Sequence, residues 1–545
     1  MNLRPLLLSA VCLVFAASIS FGQNVPNDWY FGNPDDTYQG ISVYKAYTDF
    51  IKDKKGKTVV VAIIDSGIDI QHEDLKDNLW INEKEIPGNG KDDDNNGYVD
   101  DIHGWNFIGG PDGANVGPDS YEAVRVYNNL KPKYEQADPK KLDKKQKKEY
   151  DTYVRAKANV EKEIQSAQNS LKQITNIETR IKSAFDALET AAQGKTFDKA
   201  FLDSLNVTGN QELNMAKNIA MQYLAGTELN TIEGIRKQIL EDVESDRQNF
   251  QRKLDYSFSA TFDPRKTIVK DDYSNVNEKY YGNADAEGPD PLHGTHVGGI
   301  VGAVRGNSLG ADGIAPNVKL MSVRAVPDGD ERDKDVANAI RYAVDNGASI
   351  INMSFGKGFG THKHIVDEAV KYAASKDVLL VHAAGNSAQN NDIIENFPNA
   401  VFEKKSGFIF KKKQKAKNWI EVGALSFRSG EDMVAGFSNY GKTMVDVFAP
   451  GVQIYATTPD NSYAPLQGTS MASPVVAGVA AAIRSYYPGL KAIQVKEAIM
   501  NSATKISSTV KVPGSKTDKV SFAELSVSGG IVNMYEALRY ASTMK

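Results

Sequence analysis

The sequence predicts an α/β fold, a doubly wound parallel sheet flanked by helices, because apolar segments of strand length alternate with amphipathic segments of helical length. The apolar segments are residues 58–64, 318–323, 348–353, 378–383 and 419–422. Each is nearly continuous in Val, Ile and other apolar residues, as expected for parallel strands that are covered on both faces. Segments of helical character, such as 335–346 and 365–375, lie between several of them.

The middle of the chain, residues 120–260, has a different pattern. Apolar residues from Val160 to Leu188 recur at intervals of three, four or seven, with Lys, Glu and Gln between them. This heptad-like spacing predicts a long helix that ends near Gly194. A similar pattern from Ile232 to Leu254 predicts a second one. We therefore expect a large all-helical insertion, an antiparallel hairpin with shorter helices between its two arms.

The beginning of the chain has the pattern of an export signal. Residues 1–22 contain a positive charge at Arg4, an apolar stretch and then small residues before Gln23, which is typical of a cleaved signal peptide. No later apolar run is long enough to span a membrane. We expect an exported protein, extracellular or periplasmic. Its only cysteine, Cys12, lies in the signal, so disulfides are not expected in the mature chain.

These patterns divide the chain into five predicted parts. They are the signal peptide 1–22, an N-terminal extension 23–56, a first part of the α/β domain 57–119, the helical insertion 120–260 and a second part 261–545. The formal net charge of the 545 residues is −5, so the composition gives no indication of binding to nucleic acid.

Three short motifs carry residues suited to nucleophilic catalysis. Asp65 stands where a predicted buried strand ends, His293 precedes a run of small and apolar residues, and Ser470 opens an alanine-rich predicted helix. A serine hydroxyl becomes a good nucleophile when an imidazole takes its proton, and a buried carboxylate fixes the tautomer of that imidazole. We expect Asp65 to orient His293, and His293 to act as the base for Ser470.

A fourth motif supplies a donor for a developing oxyanion. Asn386 follows an apolar predicted strand, and its side-chain amide can donate together with the backbone N–H of Ser470 at the start of its helix. The predicted strand 350–356 is a candidate edge to which an extended peptide substrate could add by main-chain hydrogen bonds.

Residues 92–101 place oxygen-bearing side chains at alternate positions, with Gly97 at the sixth. This is the first half of a calcium-binding loop pattern. The predicted ligands are Asp92, Asp94, Asn96, the carbonyl of Tyr98 and Asp100. The twelfth position is His103 rather than glutamate, so the loop is not an EF-hand. The alternative is a solvated acidic turn.

The four motifs together resemble the subtilisin-like serine protease family, over roughly residues 55–110 and 290–540. The resemblance implies a secreted serine endopeptidase acting on proteins or peptides, with Asp65, His293 and Ser470 as its triad and Asn386 in its oxyanion hole. It also implies a substrate-binding role for Ser354, Phe355 and Gly356. Asp74 and Asn307 resemble the family's second structural Ca²⁺ site.

The sequence departs from the family pattern by its insertion between Asp65 and His293, by Leu292 before the histidine motif and by the lysine-rich stretch 403–417. The insertion has three candidate roles: an internal chaperone, a lid over the cleft, or a docking surface for substrates or a partner. The alternative to an active enzyme is an inactive subtilisin-like scaffold that binds a partner through this insertion.

Overall fold

The computed structural model describes residues 25–52, 54–227, 229–403 and 414–544. The predicted signal peptide and most of the lysine-rich stretch lie outside the described residues. The chain forms two compact units. We call residues 25–122 with 263–545 the α/β unit, and residues 123–262 the helical unit.

The strands are listed here in chain order: β1 Val59–Asp65, β2 Gly104–Asn106, β3 Val318–Arg324, β4 Ile350–Met353, β5 Leu379–Ala383, β6 Trp419–Leu425, β7 Val447–Pro450, β8 Ile454–Thr458, β9 Ser462–Leu466, β10 Thr504–Lys505, β11 Thr509–Lys511, β12 Lys519–Ser521 and β13 Gly530–Ile531. Within the described residues, nine of them form one sheet in the order β10-β13-β7-β6-β5-β4-β1-β3-β2. All neighbours in it are parallel except β10 and β13. The remaining strands form two antiparallel pairs, β8 with β9 and β11 with β12.

The helices are α1 Val43–Lys45, α2 Glu122–Tyr134, α3 Lys144–Ala192, α4 Lys199–Ser204, α5 Gln211–Gly226, α6 Ile232–Arg252, α7 Leu292–Gly302, α8 Asp333–Asp345, α9 Lys363–Ser375, α10 Thr469–Tyr486, α11 Ala492–Asn501 and α12 Met534–Ala541. None of these helices combines the length and the apolar character that a membrane span requires.

Helices cover both faces of the sheet, which explains the continuous apolar segments of the sequence. In β1, Val61 and Ile63 belong to a core that also contains buried residues of α7 and α10. Ala62 and Ile64 face the opposite core, which contains buried residues of α8 and α9. Because successive strand residues point to opposite faces, a strand buried on both sides must be apolar throughout. The predicted doubly wound parallel sheet is confirmed.

The described part of the predicted extension 23–56 contributes to the main core of the α/β unit. Trp29, Tyr30 and Phe31 are buried there, followed by Ile41 and Val43. These residues add apolar area to the same core that α7 and α10 line, so the segment is an integral part of the unit.

The helical unit is built around α3, which has 49 residues. Asp143 caps its first turn by accepting hydrogen bonds from the backbone of Lys145 and Gln146. Beyond its last residue, Gly194 adopts a left-handed backbone with φ of +70°, which glycine favours.

The helical unit contains one packed helix more than the predicted two-armed hairpin, because α3 packs against both α5 and α6. Phe185 and Leu188 of α3 share one core with Ala220 of α5 and with Ile235 and Ile239 of α6. Helix α5 carries its own apolar stripe at a spacing of three and four residues, which lets it pack as a third helix.

Candidate active site

The site lies where several parallel strands end side by side. Strand β4 pairs with β1 on one side and with β5 on the other, all in the same direction. Their carboxyl ends therefore meet at one edge of the sheet, the usual place for a site in this class of fold. Asp65 ends β1, Ser354 follows β4 and Asn386 follows β5.

Asp65 and His293 are joined by a hydrogen bond of 2.6 Å between Oδ1 and the imidazole Nδ1. The same oxygen accepts a second hydrogen bond from the backbone N–H of Ser66, at 2.8 Å. Asp65 is buried, while the His293 side chain is 39% exposed. A buried carboxylate on Nδ1 places the proton there and leaves Nε2 free to accept one.

Electrostatics around His293 favour its charged form. Burial lowers the pKa of the imidazole, but the charge and the hydrogen bond of Asp65 raise it, and the charge of Asp290 adds to this effect. The balance holds the pKa of His293 above its ordinary value of 6.5. By contrast, burial lowers the pKa of His296 to about 4, so this second histidine is a neutral core residue.

The approach of α7 to the end of β1 requires a glycine after His293. A Cβ atom on Gly294 would lie only 2.0 Å from the carbonyl oxygen of Gly67. No side chain fits at that distance, so glycine is needed for His293 to reach Asp65. The Gly294 N–H also donates to Ser66 Oγ at 3.3 Å, which fixes the same contact.

Ser470 is the second residue of α10 and is linked to Ser354 in both directions. Ser470 Oγ donates to the Ser354 carbonyl oxygen at 3.0 Å, and Ser354 Oγ donates to the Ser470 carbonyl oxygen at 2.8 Å. Ser470 and His293 line the same cavity, but their side chains are not hydrogen-bonded to each other in this structure. Such contacts are often long or misaligned without substrate and tighten when it binds.

Asn386 is held with its amide nitrogen directed at the space beside Ser470. Its Oδ1 accepts hydrogen bonds from the backbone N–H and the hydroxyl of Thr469, at 2.8 and 2.9 Å. A Cβ atom built on Gly468 would lie 3.5 Å from both Asn386 Nδ2 and the backbone nitrogen of Ser470. The two nitrogen atoms therefore lie at the same distance from one point beside Ser470, as expected for a pair of donors to an oxyanion.

These residues line one cavity of about 520 Å³. Two further segments border it: wall A, residues 326–329, and wall B, residues 354–356. Wall B contains the predicted Ser354, Phe355 and Gly356. Of the predicted edge 350–356, residues 350–353 form β4 and are hydrogen-bonded on both sides, so this part of the prediction is wrong. Only the residues beyond its end face the cavity.

The structure brings together part of the predicted calcium loop. Carboxylate oxygens of Asp92, Asp94 and Glu85 lie within 4.8 Å of one another, the only such cluster of acidic, His or Cys side chains in the described part of the chain. Such hard oxygen donors suit Ca²⁺. Glu85 was not among the ligands predicted from the sequence. It precedes the loop and accepts hydrogen bonds from the backbone N–H groups of Asp93, Asp94 and Asp100.

The other predicted ligands of this loop have different partners. The Asp100 carboxylate accepts hydrogen bonds from the N–H groups of Asn89 and Gly90, so it closes a neighbouring turn instead of joining the cluster. Asn96 Oδ1 accepts from the Tyr98 N–H at 2.8 Å.

Asp74 and Asn307 do lie together. Asn307 Nδ2 donates to Asp74 Oδ1 at 2.7 Å, and the Ala311 N–H donates to the other oxygen at 3.2 Å. Burial raises the pKa of Asp74, an effect opposed by these hydrogen bonds. The predicted second Ca²⁺ site at Asp74 and Asn307 stays a prediction.

Comparison with known proteins places the chain in a family. The model of the subtilase family matches residues 56–524. The thermophilic serine proteinase of Bacillus sp. (strain AK1) is 42% identical over 218 residues, which are 40% of this chain and 48% of that protein. Thermitase of Thermoactinomyces vulgaris is 37% identical over 249 residues, 46% of this chain and 75% of thermitase. Subtilisin DY of Bacillus licheniformis is 37% identical over 225 residues, 41% and 73% of the two chains.

The match thus spans about half the length of the first relative and about three quarters of the other two. The family model covers well over half of the chain. The chain belongs to the subtilase family of serine peptidases.

Proposed function

We propose that this chain is an exported serine endopeptidase that hydrolyses peptide bonds of proteins through an acyl-enzyme intermediate. The observation that carries the proposal is the 2.6 Å hydrogen bond between Asp65 and His293 in a cavity that also contains Ser470 and Asn386. Export is proposed from the pattern of residues 1–22.

The first half of the reaction forms the acyl-enzyme. Substrate entry moves the Ser470 hydroxyl from the Ser354 carbonyl to Nε2 of His293. As Oγ attacks the substrate carbonyl carbon, Nε2 takes its proton and Asp65 stabilises the imidazolium. The oxyanion accepts hydrogen bonds from Asn386 Nδ2 and the Ser470 N–H. His293 then gives its proton to the leaving amine as the C–N bond breaks.

The second half releases the product. A water molecule gives one proton to Nε2 of His293 while its oxygen attacks the acyl carbon. Collapse of this second tetrahedral species breaks the bond to Ser470 Oγ, which recovers the proton from His293. The substrate main chain lies extended between walls A and B.

We also propose that Glu85, Asp92 and Asp94 hold a structural Ca²⁺. Three carboxylates within 4.8 Å repel one another, and a cation would remove this repulsion and stabilise the folded loop. Asn96, Tyr98 and Asp100 were predicted as ligands of the same ion. Of these, Asp100 serves in this account as an acceptor for the turn at Asn89 and Gly90.

The three roles considered for the helical unit, chaperone, lid and docking surface, stay predictions. Deletion of residues 123–262 separates them. If the helical unit is a chaperone, the shortened protein fails to fold, and if it is a lid, the shortened protein gains activity on large substrates. If the unit is a docking surface, the shortened protein loses binding to a partner or substrate.

Active-site labelling tests the proposed function. A fluorophosphonate should phosphonylate Ser470 in the intact protein, and the His293→Ala variant should be labelled at least a hundredfold more slowly, because general-base assistance typically contributes 10²–10⁴-fold. Mass spectrometry of the labelled peptide identifies the residue, and Ser470→Ala is the control. Correctly folded protein that takes no label would favour the inactive scaffold.

The pH profile tests the role of Asp65. Since His293 acts as a neutral base, activity should fall as the pH drops through its raised pKa, giving an acidic limb above pH 6.5. Asp290→Asn should move this limb to lower pH with little loss of rate at high pH. Asp65→Asn should lower kcat by roughly 10⁴-fold and move the limb further. An acidic limb at the same pH in wild type and both variants would contradict this role.

The oxyanion site is tested at Gly468. Its φ of +151° disfavours a side chain, and a methyl group there would fill the volume between the two N–H donors. Gly468→Ala should lower kcat by about 10²–10³-fold, as expected for loss of an oxyanion donor, with a smaller change in KM. Gly436→Ala is the matched control, since a Cβ there meets no atom within 4 Å. Equal kcat values for both variants would show that the donors converge elsewhere.

Calcium binding is tested by thermal unfolding. Excess chelator should lower the melting temperature, because a ligand at 100 times its Kd stabilises by about 2.7 kcal/mol. Asp94→Asn should reduce the calcium-dependent shift, and Asp100→Asn, which lies outside the cluster, should retain it. Superimposable melting curves of the wild type in calcium and in chelator would refute the site.

A further inference from the structure

Five consecutive charged residues at the start of α8 are buried. They are Glu331, Arg332, Asp333, Lys334 and Asp335, each at most 6% exposed. Charged residues are seldom fully buried unless they are paired, because removing an ion from water costs several kcal/mol. The last four of these residues form ion pairs, and we call the run 331–335 the charged collar.

Three collar residues bind the segments of the α/β unit that flank residues 123–262 in the sequence. Arg332 makes two hydrogen bonds to the Asp119 carboxylate, at 2.9 and 3.0 Å. Lys334 Nζ lies 2.6 Å from a carboxylate oxygen of both Asp271 and Glu278.

Asp335 completes this side of the collar with two hydrogen bonds from Arg265, at 2.6 and 2.8 Å. The side-chain partners of these three residues lie at position 119 or in 263–281, where the Tyr281 hydroxyl also donates to Asp335 at 2.6 Å. The collar thus fastens the points where the chain leaves and re-enters the α/β unit.

Asp333 instead pairs with a lysine that follows wall B. Lys357 Nζ lies 2.8 Å from Asp333 Oδ1, donates to the Glu331 carbonyl oxygen at 2.7 Å and lies 3.9 Å from Glu122 Oε2. Its side chain is fully buried. Its main chain is anchored by two hydrogen bonds of 2.8 Å with Phe397. The ammonium group therefore joins the end of wall B to the start of α8.

Wall A leads directly into the same collar. The Asp328 N–H donates to the Gly117 carbonyl oxygen at 2.9 Å, and the Asp119 N–H donates to the Asp328 carbonyl oxygen at 3.0 Å. Gly329, the next residue, lines the cavity. Walls A and B thus border the same cavity.

We propose that Lys357 is a positioning residue that sets the distance between walls A and B, and that it couples this distance to the segment leading into the helical unit. The inference rests on the proposed function, because the walls matter only if a peptide lies between them. Lys357 touches no substrate and acts through the two walls.

The consequence depends on substrate length. A peptide long enough to pair with both walls depends on their spacing, whereas an ester of a single acylated amino acid reaches Ser470 without extending along wall A. Loss of the Lys357 contacts weakens binding of the extended peptide in the ground state and in the transition state alike. It therefore raises KM more than it lowers kcat. One lost hydrogen bond corresponds to a roughly fivefold to tenfold change in affinity.

The test compares Lys357→Met with Lys334→Met. Both remove a fully buried ammonium group with carboxylate partners, but Lys334 does not contact the segment that contains wall B. Active sites are titrated with a fluorophosphonate, and kcat and KM are measured for an extended peptide and for the short ester. Lys357→Met should raise KM for the extended peptide about fivefold to tenfold and affect the ester less. Lys334→Met should lower the melting temperature and leave both KM values at the wild-type level. Lys357→Arg should restore part of the loss.

An unchanged KM for the extended peptide in folded Lys357→Met would overturn the inference, and so would an equal rise in KM in Lys334→Met. If Lys357→Met fails to fold, Lys357→Arg and Asp333→Asn are measured in the same way. Intermediate KM values support the inference, and wild-type values overturn it. Failure of the wild type to take the label would instead contradict the proposed function, so the two failures are distinguishable.

Discussion

The proposed active site depends on one interaction, the hydrogen bond between the buried carboxylate of Asp65 and the imidazole of His293. In the proposed mechanism it fixes the tautomer of His293 and favours the imidazolium that forms during attack. A carboxylate held in the core at the end of β1 is costly unless it is bonded, and the Ser66 N–H and His293 both bond its Oδ1. Its Oδ2 is buried without a hydrogen-bond partner in the described part of the chain. The same constraint explains why Gly294 must lack a side chain, because α7 has to approach the end of β1 closely.

The parallel sheet brings the other candidate residues of the site next to this pair. Because β1, β4 and β5 are adjacent and run in one direction, the residues after them reach the same edge. Helix α10 then delivers Ser470 to that edge with a free backbone N–H, as the start of a helix allows. Gly468 leaves open the volume between that N–H and the Asn386 amide. The geometry is therefore set by strand order and by two glycines.

Those parts of the fold and site that depend on short stretches of sequence could be predicted. The continuous apolar strands predicted the sheet, and local motifs identified Asp65, His293, Ser470 and Asn386 as candidates. Strand order depends on pairings between residues far apart in the sequence, so the interior position of β4 was missed. Glu85 was missed for a similar reason, since its backbone partners at 93, 94 and 100 become visible only when the loop folds back.

Charges were the hardest feature to predict. The run 331–335 has the composition of a solvated helix start, yet it is buried because its partners arrive from positions 119, 263–281, 357 and 362. Buried ion pairs add little net stability compared with apolar packing. In the proposal made above, the pair of Lys357 and Asp333 has a geometric role, because it joins the end of wall B to the start of α8. Exposed ion pairs on the helical unit, such as Lys157 with Glu161, also contribute little to the free energy of unfolding.

The most direct test of the central claim is an NMR titration of His293 in the Ser470→Ala protein, which cannot digest itself by this mechanism. The account predicts a pKa above 6.5 for this imidazole, together with a fall when Asp65 is also replaced by Asn. A pKa at or below 6.5 that does not respond to the loss of Asp65 would contradict it.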